Sequence, residues 1–126
     1  MIRGLGTDVV ELERILQAYQ RYGEHFLQRV LSEQERRKFA AFAATRQIEF
    51  LAGRFAVKEA IAKAAGCGLG RLGMNRVVVS TGPEGLQLDA VHVLPGEVRD
   101  YRWHLSITHT QALAFATAIR EDSPAD

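Results

Sequence analysis

At 126 residues the chain is long enough for one domain with a real core, and 47% apolar with 25% charged residues is ordinary for a soluble globular protein. Net charge is only +1, no apolar run reaches membrane-spanning length, and no basic region with an apolar signal core opens the sequence, so the expectation is a cytoplasmic protein with no membrane partner. The single cysteine, Cys67, excludes an intrachain disulfide and a multi-cysteine metal site, and reads as a small buried residue.

The N-terminal run MIRGLGTDVVEL predicts a strand over 2–10. Its period of two puts Ile2, Gly4, Gly6, Asp8 and Val10 on one face. Asp8 is the odd choice for a core face, and the glycines beside it would let another backbone or a ligand come close. Two readings of Asp8 stand: a carboxylate kept for chemistry, or an N-cap for the next helix.

A helix is expected over 12–21, a short one over 24–30, and a third to about 42 that opens on the capping-box pattern Ser32-Glu33-Gln34-Glu35. Between Arg14 and Lys38 six Arg and Lys face three Glu, a local +3. A basic helical face of this kind attracts an acidic protein or a nucleic acid. The basic–aromatic interleaving that single-stranded nucleic acid requires is missing, and no nucleic-acid partner is expected.

The most informative stretch is the helix predicted from about Thr45 to Ala65, stopped by Gly66 and Gly68. At about 100° per residue, Ile48, Leu51, Ala52, Phe55 and Ala62 share an arc with Glu59 near its middle. A carboxylate there is costly unless compensated. Lys63, at i+4, is one partner for it and a bound metal is another. The opposite side, with Phe50, Val57, Ile61 and Ala64, is also apolar, so the helix should lie between layers, with Arg54 and Lys58 as its main basic stripe.

Strands are expected near 76–80, 86–93, 102–108 and 112–119, and a polar tail over 121–126. Trp103, Leu105, Ile107 and His109 alternate onto one face, and Leu113, Phe115, Thr117 and Ile119 onto one face of the next strand. His109 ends its strand among the hydroxyls of Ser106, Thr108 and Thr110, a cluster able to donate hydrogen bonds to phosphate oxygens. Helices grouped before strands argue an α+β fold, with the long helix packed against an antiparallel sheet.

Three motifs in register now carry a family resemblance: G-x-D at Gly6–Asp8, R-F-A-x-K-E-A-x-x-K-A-x-G from Arg54 to Gly66, and S-I-T-H-T from Ser106 to Thr110. Together with Glu11-x-x-Arg14-Ile15, Arg29-Val30-Leu31-Ser32-x-x-Glu35 and Leu51-Ala52-Gly53, they resemble the small, single-repeat branch of the 4′-phosphopantetheinyl transferases, the holo-[acyl-carrier-protein] synthases. The resemblance implies one transferase domain over 1–120, Mg²⁺ held by Asp8 and Glu59, and Lys63 on the diphosphate, these three forming the catalytic set. Arg54, His109 and Thr110 match positions that hold coenzyme A. With Lys63, and with Lys58 from the basic stripe, they make the expected cofactor-binding set. Arg14, Arg21, Phe26 and Arg29 fall on the segment that grips the acyl carrier protein. A homotrimer with sites at subunit interfaces is implied as well, so that Asp8 and Glu59 could come from different chains. Two stretches, Arg71–Asn75 and Thr81–Leu86, depart in their residues from the family's pattern, which bears on local loop shape and subunit packing and not on the carboxylates.

The implied reaction moves the phosphopantetheine arm of coenzyme A to a carrier serine in fatty acid biosynthesis. The base that takes the serine proton stays open between Glu59 and a metal-bound water. The water is favoured, because a carboxylate that holds a cation is a weaker base. The rival reading is a non-catalytic α+β module holding an acidic protein or RNA on the basic helical face. It gives no reason for Asp8 on a core face.

Overall fold

A computed structural model describes residues 1–124. The chain opens with β1 (Ile2–Glu11), then α1 (Leu12–Tyr22), α2 (Glu24–Val30), α3 (Glu33–Ala41) and the long α4 (Ala44–Ala65). A short α5 (Leu69–Leu72) and a 3₁₀ turn at Met74–Arg76 lead to the hairpin β2 (Val78–Gly82) and β3 (Gly85–Asp89). After a second 3₁₀ turn at Val91–Val93 come α6 (Gly96–Arg99), β4 (Tyr101–His109) and β5 (Leu113–Asp122).

The ends of the chain meet in one sheet. β5 lies between β1 and β4, antiparallel to both, while β2 and β3 form a separate two-stranded sheet. The expected alternation holds: Ala114, Ala116 and Ala118 are buried beneath α4, and Leu113 and Phe115 on the other face are exposed. α4 is buried on both sides and joins two apolar clusters. Phe50, Leu51 and Ala52 pack with Ile15, Leu27 and Phe39 of α1–α3, and Val57, Ala60 and Ile61 pack with Val79, Ala116 and Ala118 of the sheets.

The capping box at Ser32 forms as read. Ser32 Oγ accepts from the Glu35 amide at 3.3 Å, and the Ser32 amide donates to Glu35 Oε1 at 2.8 Å. Gly66, at φ 70°, ends α4 in the left-handed conformation.

The structure differs from the sequence expectation at several points. The strand expected over 86–93 stops at Asp89, because Ala90 turns to φ 52° and the chain then coils as a 3₁₀ turn. The four-residue helices α5 and α6 are too short to leave a 3.6-residue period. The polar tail begins later than 121: Glu121 and Asp122 are strand residues, Glu121 opposite Ile2 and Arg102, and Asp122 opposite Tyr101. Ala125 and Asp126, the end of that expected tail, lie outside the described residues.

Candidate active site

The site is built where β1 crosses α4. Gly4 and Gly6 face the helix, and a methyl on either would overlap a helix carbonyl oxygen, that of Ala64 or Ala60. This contact puts Asp8, on the same face of β1, beside the helix turn that carries Glu59 and Lys63. Lys63 Nζ donates to Asp8 Oδ1 at 3.2 Å and to the Thr7 carbonyl oxygen at 2.9 Å. Asp8 Oδ2 is buried and, among the described residues, has no hydrogen-bond partner. Burial and then the Asp8 charge push the Glu59 carboxyl above its ordinary value, with Lys63 pulling the other way. The expected Glu59–Lys63 pair is therefore replaced by an Asp8–Lys63 pair. Asp8 and Glu59 meet within the one chain, because β1 packs directly on α4.

An orphaned buried carboxylate oxygen beside a second carboxylate fits a hard cation. Among the described residues no three His, Cys, Asp or Glu side chains gather into a metal cage. The residues present suit an ion that keeps water and substrate oxygens in its shell, as Mg²⁺ does.

Arg54 and His109 meet elsewhere. Both line a cavity of about 240 Å³ with Lys38, Arg46 and Thr81, and it shares no residue with the pocket that Glu59 lines. Arg54 is buried, stacked on Phe50 at 4.5 Å, with its Nε 3.8 Å from Glu35 Oε2. Burial lowers its pKa, and Glu35 partly offsets the shift. His109 Nδ1 lies 3.8 Å from Glu49 Oε2. Thr110 shapes the β4–β5 turn instead of lining the cavity, its hydroxyl oxygen accepting from the Ala112 and Leu113 amides.

Lys58 is a correction. It is 0% exposed, and its ammonium donates to Glu35 Oε1 and to the carbonyl oxygens of Val30 and Met74 at 2.7 and 3.0 Å. All three of its protons are used inside the protein, so it is not part of an exposed basic stripe and cannot hold coenzyme A. Burial lowers its pKa to about 8 against the pull of Glu35. The signal was in the sequence: a helix apolar on both sides leaves little solvent-facing arc. Lys38, Arg46 and Glu35 escaped the sequence reading as site neighbours. Glu35 read only as a cap, and nothing local marks two cations from separate helices as sharing a cavity.

Of the residues expected to grip a carrier, Arg14 and Phe26 line a pocket of about 660 Å³, and Phe26, Arg29 and Glu59 line one of about 770 Å³. Phe26 and Phe55 belong to both, so a groove runs from Arg14 to the Glu59 carboxylate. Arg21 sits over the Tyr22 ring at 5.4 Å, and Tyr22 lines the second pocket. The rest of the basic segment is not one face: on α3, Arg36 donates to the Leu31 carbonyl oxygen and Arg37 pairs with Glu33.

Known proteins resemble this chain in sequence and in fold. The chain is 43% identical over 121 residues to a holo-[acyl-carrier-protein] synthase of Enterococcus faecalis, covering 96% of this chain and 98% of that one. It is 38% identical to the protein of the same name from Oceanobacillus iheyensis, over the same shares. Among solved structures, a holo-(acyl-carrier-protein) synthase from Bacillus anthracis in complex with CoA (3′,5′-ADP) superposes with a TM-score of 0.83 at 34% identity, covering 98% of this chain and 99% of that one. The Neisseria meningitidis enzyme gives 0.82 at 27% identity, covering 97% and 100%. Residues 4–118 match the profile of the 4′-phosphopantetheinyl transferase superfamily, and the chain belongs to that family.

Proposed function

We propose that the protein transfers the 4′-phosphopantetheine arm of coenzyme A to a serine of apo-acyl carrier protein. The serine hydroxyl gives its proton to a base, its oxygen bonds to the β-phosphorus, the bond from that phosphorus to the bridging oxygen breaks, and adenosine 3′,5′-bisphosphate leaves with the electron pair. The observation that carries this reading is the convergence of Asp8, Glu59 and Lys63, with Asp8 Oδ2 buried and unpartnered among the described residues. A bound Mg²⁺ would supply charge neutralisation and alignment at the diphosphate, with Asp8 and Glu59 as its protein ligands.

The chain's own side chains do the rest. The Lys63 ammonium, about half exposed, is free to turn toward a phosphate oxygen while Asp8 holds it at the site. Charge on the leaving phosphate grows as the bond breaks, so this contact strengthens in the transition state. Arg54 and His109, with Lys38 and Arg46, offer a cationic cavity for a further phosphate of coenzyme A. The groove from Arg14 through Phe26 to Arg29 leads an acidic carrier toward Glu59.

The cationic cavity and the carboxylate site are separate within one chain, which supports a homotrimer whose interfaces bring one protomer's Arg54 and His109 to its neighbour's Asp8 and Glu59. The outer sheet face is apolar and exposed at Leu5, Val9, Leu113 and Phe115, as a subunit contact requires. Among the described residues no helix is long and apolar enough to cross a membrane. We place the activity in the cytoplasm, in fatty acid biosynthesis, as one domain over residues 1–120.

The test is mass spectrometry of apo-carrier incubated with coenzyme A, Mg²⁺ and the protein. A mass gain of one phosphopantetheine arm, lost when chelator removes the metal, is the expected result. An unmodified carrier would contradict the reading.

A further inference from the structure

The contact between β1 and α4 sets more than packing. Gly6 lies two residues before Asp8 on the face of β1 turned to the helix, and a methyl there would overlap the Ala60 carbonyl oxygen and come within 2.9 Å of the Ala60 carbonyl carbon and the Ala64 amide nitrogen. All three are backbone atoms of a buried helix, so no side chain can swing away to make room. Ala60 follows Glu59 directly. Gly4 makes the same kind of contact one turn further along α4, over Ala64, away from the carboxylates. Across the same seam Lys63 Nζ reaches the Thr7 carbonyl oxygen at 2.9 Å and Asp8 Oδ1 at 3.2 Å, so the backbone between Gly6 and Asp8 is held to the helix from both sides.

Resting on the proposed metal site, we infer that Gly6 is a positioning residue for it: its missing side chain fixes the separation of the Asp8 and Glu59 carboxylates and thereby favours a small cation over a larger one. Mg²⁺ demands oxygen ligands at about 2.0–2.1 Å in near-ideal octahedral geometry, whereas Ca²⁺ accepts about 2.3–2.6 Å and irregular shells. A strand pushed off the helix carries Asp8 away from Glu59, and the small ion loses a ligand before the large one does. A glycine needed only for packing would change stability and leave the preference between ions alone.

The experiment measures Mn²⁺ binding to the full chain by electron paramagnetic resonance of free Mn²⁺, then displacement by Mg²⁺ and by Ca²⁺, in the wild type, Gly6→Ala, Gly4→Ala and Asp8→Glu. Gly6→Ala is expected to weaken Mg²⁺ at least about tenfold more than Ca²⁺, the scale of effects from residues that orient metal ligands. Gly4→Ala, which disturbs the same seam away from the carboxylates, is expected to keep the wild-type ratio of the two affinities. An unchanged ratio in Gly6→Ala, or an equal change in Gly4→Ala, overturns the inference. If Gly6→Ala does not fold, Asp8→Glu decides. With the separation held by Gly6, its extra methylene must also cost Mg²⁺ more than Ca²⁺, and an equal loss of both overturns the inference. A wild type that binds no Mn²⁺ removes the metal site itself, and the inference with it. Binding through Asp8 with an indifferent Gly6 removes the inference alone.

Discussion

Helix α4 carries two lysines five residues apart, each facing a carboxylate from another element, and the two clusters have opposite characters. Lys58 is 0% exposed and its three protons go to Glu35, Val30 and Met74, while Glu35 also takes the Ser32 and Val79 amides. Lys63 is 54% exposed, its carboxylate partner keeps a buried oxygen without a bond among the described residues, and a second carboxylate stands beside them. The closed cluster ties α2, α3, α4 and the hairpin together and leaves nothing for a ligand. The open cluster holds unsatisfied charge at a groove, the condition under which a cation and a diphosphate can bind. Residue type does not separate structure from chemistry here; completeness of hydrogen bonding does.

The largest effect should come from breaking the closed cluster. Lys58→Met leaves Glu35 buried without its main cation and is expected to cost about 3–5 kcal/mol of stability. Denaturant unfolding reads this directly, and a midpoint equal to the wild type would mean that the buried pair does not support the fold.

At the open cluster the loss should be in rate. Asp8→Ala should lower turnover about 10³-fold, the scale of losing a positioned electrostatic group. Circular dichroism of the same sample should show an intact fold. Activity near normal at ordinary Mg²⁺ would end Asp8's role as a ligand.

The groove from Arg14 to Glu59 is the proposed carrier site. Arg14→Glu is expected to raise KM for the carrier about tenfold and leave KM for coenzyme A unchanged, and added salt should shrink the difference. A change confined to coenzyme A would mean that the groove serves the other substrate.

The smallest effect is a gain in stability. Burial and Asp8 raise the folded-state pKa of Glu59 above its unfolded value. Folding then takes up a proton between those two values, and Glu59's contribution to stability, full below the unfolded pKa, is lost as pH rises through the folded one. Above the folded value the ionised group is a net cost without metal. Glu59→Gln should therefore raise the melting temperature of the metal-free protein slightly while abolishing transfer. A lower melting temperature would show that the carboxylate is satisfied in the apo state.

How much of this was legible follows the same contrast. Gly6 and Asp8 sharing a strand face, Glu59 on an apolar arc and the Ser32 capping box are periodicities within one element, and each appears as read. That Lys58 is buried could be read from a helix apolar on both sides, but its partners come from α2, α3 and the Met74 turn, and no local pattern shows that three acceptors converge on one ammonium. Lys63 likewise pairs with Asp8, 55 residues away, in place of Glu59 one turn before it. Arg54 and His109 sharing a cavity with Lys38 and Arg46 depends on how α3, α4 and β4 meet, which periodicity does not encode.

Lys63→Ala tests most directly the claim that the open cluster performs the chemistry while the closed one holds the fold. Turnover and melting temperature are measured on the same variant. The Lys63 ammonium is about half exposed and solvent screens the pair on that side, so the melting temperature should move little, while kcat falls more than the affinity for coenzyme A. A sharply lower melting temperature with turnover per folded protein intact would contradict the account and make Lys63 a second structural lysine.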